Sequence, residues 1–306
     1  MQFGLMTEPQ MGGSYDDLLF ACRTAEASGL VGFYRSDHYY WPGRPGLEAT
    51  DAFTTLGGLA TQTATINLAV LVSPITFRHP AVIAKSAATL DQMTGGRFHL
   101  GVGTGWMEAE HDAFGLAFPP WKERFARLEE SLQYLQASFA GESYEGRYYR
   151  TDADARPRPQ GIRFIVGGSG PEKTPDLAGR YADEYNHFAV APETLKVKIA
   201  RMRESARHRG RDPDSIIVSV MGPAVLASNP ARLGELLADA AAFRKITVDE
   251  LVERWRRAGI PMGTPGEAGE AIGRLEEVGV DRYYLQWLDL TDRRGVEEIV
   301  TQAALL

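Results

Sequence analysis

The chain has 306 residues, 44% of them hydrophobic and 24% charged, and its 33 basic and 40 acidic residues leave a formal charge of −7. That is enough apolar material for one large core, and the acidic balance, with no long lysine or arginine run, excludes a nucleic-acid groove and an anionic membrane surface as partners. A single cysteine, Cys22, excludes a disulfide framework and a cysteine-built zinc site.

The opening Met1-Gln2-Phe3-Gly4-Leu5-Met6 carries no basic leader or signal-like apolar segment. No apolar run approaches the roughly 18 residues that a membrane span needs, so the expected location is the cytoplasm. Residues 3–6 are the first expected strand. Ser14-Tyr15-Asp16-Asp17 has the form of a helix N-terminal cap, opening a helix that stops near Gly29. Cys22 falls on the apolar stripe of that helix with Leu18 and Ala25, as a small buried residue would. Further strands are expected at 32–36, 66–72 and 97–101, with helices at 50–63 and 81–93 between them, the second behind Pro80. Over 122–139, Phe125, Leu128, Leu132, Leu135 and Phe139 recur at helical spacing and put one apolar stripe against a core.

The second half repeats the rhythm. Strands are expected at 163–166, 185–188, 215–221 and 280–287. Thr174 is read as the cap of one helix, with Pro175 in its first turn; a second helix covers 193–208, and Thr264-Pro265-Gly266-Glu267 is a capping box opening a third. Eight strands separated by helical patterns are the signature of parallel βαβ units, and without a low-complexity linker they favour a closed (β/α)₈ barrel over an open sheet. Residues 1–306 are therefore expected to form one domain, with insertions at 138–158, holding a short hairpin near Tyr148 and Tyr149, and at 226–259, holding about two helices.

In such a barrel the active site lies at the carboxyl ends of the strands. There the sequence offers Glu8, then Arg35-Ser36-Asp37-His38-Tyr39-Tyr40-Trp41, in which a carboxylate beside an imidazole precedes aromatics able to bind a flat ring. His38 has the side chain suited to giving and accepting a proton near neutral pH, with Asp37 as its companion; the structural alternative is that Asp37 caps the following loop and His38 is a satisfied structural histidine. Gly101-Val102-Gly103-Thr104-Gly105-Trp106 follows the fourth strand with the wrong spacing for a dinucleotide fingerprint, and is read as bare backbone for a planar ligand or as a tight turn. Glu108, Glu110 and His111 lack the second histidine of a zinc motif, so no metal is expected; they are read as rim residues, with Glu108 reaching the pocket. Val166-Gly167-Gly168-Ser169-Gly170-Pro171 precedes a helix N-terminus and can seat an anion, with Lys173 nearby. Pro74 cannot donate to a sheet and should end the third strand abruptly after Val70, Leu71, Val72 and Ser73.

These segments, together with Phe77-Arg78-His79-Pro80, Gly95-Gly96-Arg97, Glu123-Arg124-Phe125, Gly146-Arg147-Tyr148-Tyr149 and Arg180-Tyr181-Ala182-Asp183-Glu184, come in the order and spacing of a known family. The chain resembles the luciferase-like monooxygenase superfamily, and within it the F420-dependent oxidoreductases. The resemblance implies a luciferase-like TIM barrel, a homodimer and a deazaflavin coenzyme F420 in the barrel mouth, with FMN as the alternative cofactor. It also implies a non-prolyl cis peptide within Val70, Leu71 and Val72. By the same resemblance the cofactor would meet Asp37, Val70, Leu71, Val72, Ser73, Gly103, Thr104, Gly105, Gly167, Gly168, Ser169 and Asn186. His38 and Asp37 would carry catalysis, and Glu8, Trp41, Trp106 and Trp287 would line the side taken by a small-molecule substrate. Some sugar-phosphate dehydrogenases of the family have a catalytic glutamate where this chain has Trp106, which argues against a sugar phosphate. The expected reaction is hydride transfer to or from F420. The alternatives are a two-component FMN monooxygenase and a cofactor-binding protein without catalysis.

Overall fold

A computed structural model describes residues 1–44, 46–154 and 156–306. The barrel strands are β1 (Gln2–Thr7), β2 (Gly32–Arg35), β3 (Asn67–Pro74), β4 (Phe98–Gly103), β7 (Arg163–Gly167), β8 (Glu184–Phe188), β9 (Ile217–Gly222) and β12 (Arg282–Trp287). All eight are those expected from the apolar runs, with ends shifted by no more than two residues. They pair in parallel in the order β1-β12-β9-β8-β7-β4-β3-β2 and close on themselves, Gln2 lying opposite Arg282 and Leu5 opposite Phe33. The intervening segments are the hairpin β5 (Tyr144–Glu145) with β6 (Arg150–Thr151), and a small parallel pair, β10 (Val225–Leu226) with β11 (Met262–Gly263).

The helices are α1 (Tyr15–Ala27), α2 (Ala52–Ala60), α3 (Pro80–Thr94), α4 (Glu108–Phe114), α5 (Trp121–Ala140), α6 (Lys173–Tyr181), α7 (Pro192–His208), α8 (Pro230–Arg244), α9 (Val248–Arg257), α10 (Pro265–Glu277) and α11 (Arg293–Ala303). The boxes at Ser14 with Asp17 and at Thr264 with Glu267 cap α1 and α10. Thr174 is not a cap. It lies inside α6, buried, and Glu172 precedes the helix without a side-chain cap bond. Helices α4 and α11 were not anticipated; α4 is only seven residues long, too short for its periodicity to show. No helix among the described residues is long and apolar enough to cross a membrane.

Alternation along the strands separates two cores. Phe3 and Leu5, Phe33, Leu68 and Val70, Phe98, Leu100 and Val102, and Tyr283 and Leu285 point outward to the helices, where Cys22 and Leu18 also sit. Met6, Tyr34, Ala69, Leu71, Ile165, Met221 and Tyr284 fill the barrel interior. β3 breaks the alternation. Its register with β4 shifts between Val70 and Ser73, and the Leu71–Val72 peptide is cis. Across the register shift Leu71 and Val72 both face inward, while Val70 and Ser73 face out.

Candidate active site

The carboxyl ends of the strands enclose a cavity of about 430 Å³. Of the residues singled out in the sequence, it is lined by Glu8, His38, Leu71, Val72, Gly103, Thr104, Gly105, Trp106, Gly167, Gly168, Ser169 and Asn186. Five others lie elsewhere, and strand parity explains most of them. Ser36 continues the inward face of β2, so Asp37 turns outward; its carboxylate accepts from Ser73 Oγ at 2.7 Å and pairs with Arg78, and it neither faces the cavity nor touches the imidazole. Val70 packs in the outer core, and Ser73 is held by Asp37. Trp287 points outward, donating to the Asp289 carbonyl at 2.6 Å, while its neighbour Gln286 faces inward and donates to Glu8 at 2.7 Å. Trp41 stands behind Trp106, edge to face at 6.4 Å, outside the lining.

The carboxylate that serves His38 is Glu110. Its Oε2 lies 2.9 Å from His38 Nδ1, and its Oε1 accepts from the backbone N–H groups of Tyr39 and Tyr40. A carboxylate only accepts, so Nδ1 carries the proton and Nε2 is left for the cavity. Burial opposes a charge on the ring, but the hydrogen bond and charge of Glu110, with Glu8 and Asp37 adding attraction, raise the His38 pKa above its ordinary value. The sequence contained Glu110 but not this pairing, because the two residues are 72 positions apart and α4 was not foreseen. Glu108, expected to reach in, is exposed, whereas Glu110 is 1% exposed. His111 also lines the cavity, its Nε2 bonded to Thr76 at 2.7 Å and its Nδ1 to the Met107 carbonyl at 2.8 Å. No cluster of three or more histidine, cysteine or acidic residues among the described residues could hold a metal.

The glycines of the wall have a structural cause besides ligand access. A Cβ on Gly103 would come within 2.7 Å of Val72 Cγ2, and one on Gly167 within 2.8 Å of Val72 Cγ1. Bare positions on the adjacent β4 and on β7 beyond it let Val72 stand in the cavity floor. Gly168, at φ +150°, adopts a backbone closed to other residues as the chain turns into α6. That turn is tied from behind by Lys198, which donates to the Ser169 carbonyl and to His187 Nε2, each at 2.7 Å. His187 can accept there because its Nδ1 donates to the Phe188 carbonyl, and burial lowers its pKa and keeps it neutral. Apolar walls missed in the sequence are Met6, Met107, Trp121, Phe125 and Phe188; Phe188 ends an expected strand, strand parity would have found Met6, and Met221 lines the cavity from the strand end where the active face is expected.

Comparison with known proteins agrees with this architecture. An F420-dependent glucose-6-phosphate dehydrogenase of Nakamurella multipartita is 38% identical over 224 residues, a match that covers 71% of this chain and 65% of that protein. The chain thus spans less than two thirds of that relative. The enzyme of the same name from Mycolicibacterium smegmatis is 34% identical over 303 residues, covering 89% of this chain and 88% of its own. Among solved structures, an F420-dependent secondary alcohol dehydrogenase in complex with an F420-acetone adduct superposes with a TM-score of 0.81 at 22% identity, over 99% of this chain and 98% of that one, a likeness of fold. The profile of the luciferase-like monooxygenases matches residues 1–282, and the chain belongs to that family.

Proposed function

We propose that this protein is an oxidoreductase that binds the deazaflavin coenzyme F420 and exchanges a hydride with a small organic substrate, reducing C=C, C=N or C=O or oxidising an alcohol. The observation that carries the reading is the His38 ring, fixed by Glu110 at one nitrogen and lining the cavity beside the Leu71–Val72 bulge. F420-dependent relatives at 34 to 38% identity support the choice of cofactor.

The residues present fit such a group. Leu71 and Val72 line the cavity together with Gly103 and Gly167, whose missing side chains leave Val72 room and present bare backbone to a flat ring. The Gly167–Gly168–Ser169 turn, where α6 begins without a side-chain cap, would hold the cofactor's phosphate on backbone N–H groups. Once bound, the cofactor supplies or accepts the hydride, the two-electron part of the chemistry. The protein manages the proton. In reduction of a carbonyl, His38 gives the Nε2 proton to the oxygen as the carbon gains hydride, and is reprotonated from solvent; in alcohol oxidation neutral His38 takes the hydroxyl proton. Glu110 holds the imidazole in the tautomer and orientation that this needs.

Titration of the purified protein with F420 and with FMN, followed by quenching of each chromophore's fluorescence, tests the reading. Saturable F420 binding is expected. Binding of FMN alone, with oxygen consumption when reduced FMN is supplied, would establish the monooxygenase alternative, and binding without turnover on a broad substrate panel the non-catalytic one. A homodimer is part of the same proposal, and sedimentation showing only monomer would remove it.

A further inference from the structure

The relatives' named substrate is a phosphorylated sugar, a dianion, yet no lysine or arginine is among the described residues that line this cavity. The cations around it are turned away or occupied. Arg35 is bound to the Ser36, Thr50 and Asp51 carbonyls, and Arg78 to Asp37 and Asp51. Arg124 donates to the Pro119 and Gly105 carbonyls, and Lys198 to Ser169 and His187. Lys122 and Lys173 are exposed on α5 and α6 and do not line it; Lys173 lies against the Phe125 ring, beside the turn proposed for the cofactor's phosphate. The charged side chains that do line the cavity are the carboxylates Glu8 and Glu110 with the imidazole of His38. A phosphate entering there would be desolvated next to two carboxylates with no lysine or arginine to offset its charge, the one cationic group being the His38 ring already paired with Glu110.

What the rim offers instead is aromatic surface. Trp106, Trp121 and Phe188 line the cavity while remaining 58%, 55% and 45% exposed. The two tryptophans are held in place rather than loose: Trp106 packs edge-on to Trp41 and His38, and Trp121 stacks on Phe125 with the Arg124 guanidinium 4.0 Å from its ring. Large apolar rings kept exposed around a concave site are the usual mark of a surface that a ligand covers.

We infer that the substrate is an uncharged molecule with a flat, apolar, largely aromatic body and one oxygen-bearing carbon that reaches His38, and that Trp106, Trp121 and Phe188 select it over sugar phosphates. This rests on the oxidoreductase reading for its chemistry, but the recognition it describes is separable from the cofactor.

The test uses 2-acetylnaphthalene, its alcohol 1-(2-naphthyl)ethanol, and glucose 6-phosphate. In protein without cofactor, 2-acetylnaphthalene is expected to quench tryptophan fluorescence saturably and glucose 6-phosphate to leave it unchanged. In protein loaded with F420, the naphthyl pair is expected to turn over, with KM raised about tenfold by Trp106→Ala and kcat little altered, the size of one lost aromatic contact. Phe188→Ala provides a second variant should Trp106→Ala fail to fold. Binding or turnover of glucose 6-phosphate equal to that of the naphthyl compounds overturns the inference, as does absence of any naphthyl binding. If F420 does not bind while the naphthyl ketone still does, the cofactor assignment fails and the aromatic selectivity stands.

Discussion

Glu110 lies 72 positions from His38 in the chain but 2.9 Å from its Nδ1 in space, and their contact governs where the proton resides. Removal of the imidazole by His38→Ala is expected to lower kcat by about 10²- to 10⁴-fold, the usual worth of a positioned acid or base, while F420 affinity measured by fluorescence changes little. Because Glu110 raises the His38 pKa, the imidazolium persists above the ordinary value near 6.5. Carbonyl reduction, which needs that proton, should hold its rate to a pH above this value and then decline; Glu110→Gln should move the decline to lower pH. A pH–rate profile that Glu110→Gln leaves in place would remove Glu110 from this role. Stability has the same sign. A histidine with a raised folded-state pKa contributes its full stabilisation below about pH 6.5 and loses it as pH climbs through the folded value. The difference in melting temperature between wild type and Glu110→Gln should therefore be largest in acid and shrink toward alkaline pH. None of this could be read at Asp37, which adjoins His38 in the chain but is bound to Ser73 and Arg78. Chain neighbours in extended backbone point to opposite sides, so adjacency was the wrong guide.

At the scale of the element, the third strand shows how a local irregularity shapes the cavity floor. Pro74 and the neighbouring glycines were visible as signals in the sequence, and the strand does end at Pro74. What they accomplish was not visible: the register shift brings Leu71 and Val72 to the same face, and Gly103 and Gly167 are bare to receive Val72. Gly103→Ala would force a methyl against Val72 Cγ2 at 2.7 Å, an overpacking expected to cost about 1–3 kcal/mol in urea unfolding and to weaken F420 binding. Adding Val72→Ala should recover most of the stability but not the binding, because the floor itself is then lowered. A double variant no more stable than Gly103→Ala would show that the glycine answers to something other than Val72.

Over the whole molecule, the closed ring buries polar side chains as well as apolar ones. Glu184, 2% exposed, accepts from Ser219, Tyr284 and Arg282, and Ser219 also accepts from the cavity residue Asn186. Burial is the largest influence on Glu184 and raises its pKa despite the adjacent Arg282. Taking away one partner of such a pair leaves the other uncompensated, so Arg282→Met is expected to destabilise the protein by about 3–5 kcal/mol, measured by urea unfolding at neutral pH. A loss under 1 kcal/mol would show that the Ser219 and Tyr284 hydroxyls alone satisfy the carboxylate.

The eight apolar runs, their helical partners and the capping boxes determined a parallel barrel by local patterning, since burial on both faces of every strand is written in consecutive residues. The same logic located the strand ends, and with them most of the cavity wall. Only the tertiary structure decided that Glu110 rather than Asp37 serves His38, that Trp287 faces the helices, and that the surrounding cations are occupied elsewhere. Those outcomes depend on which side of a strand a residue leaves and on contacts between segments far apart in the chain, and periodicity along one segment carries neither.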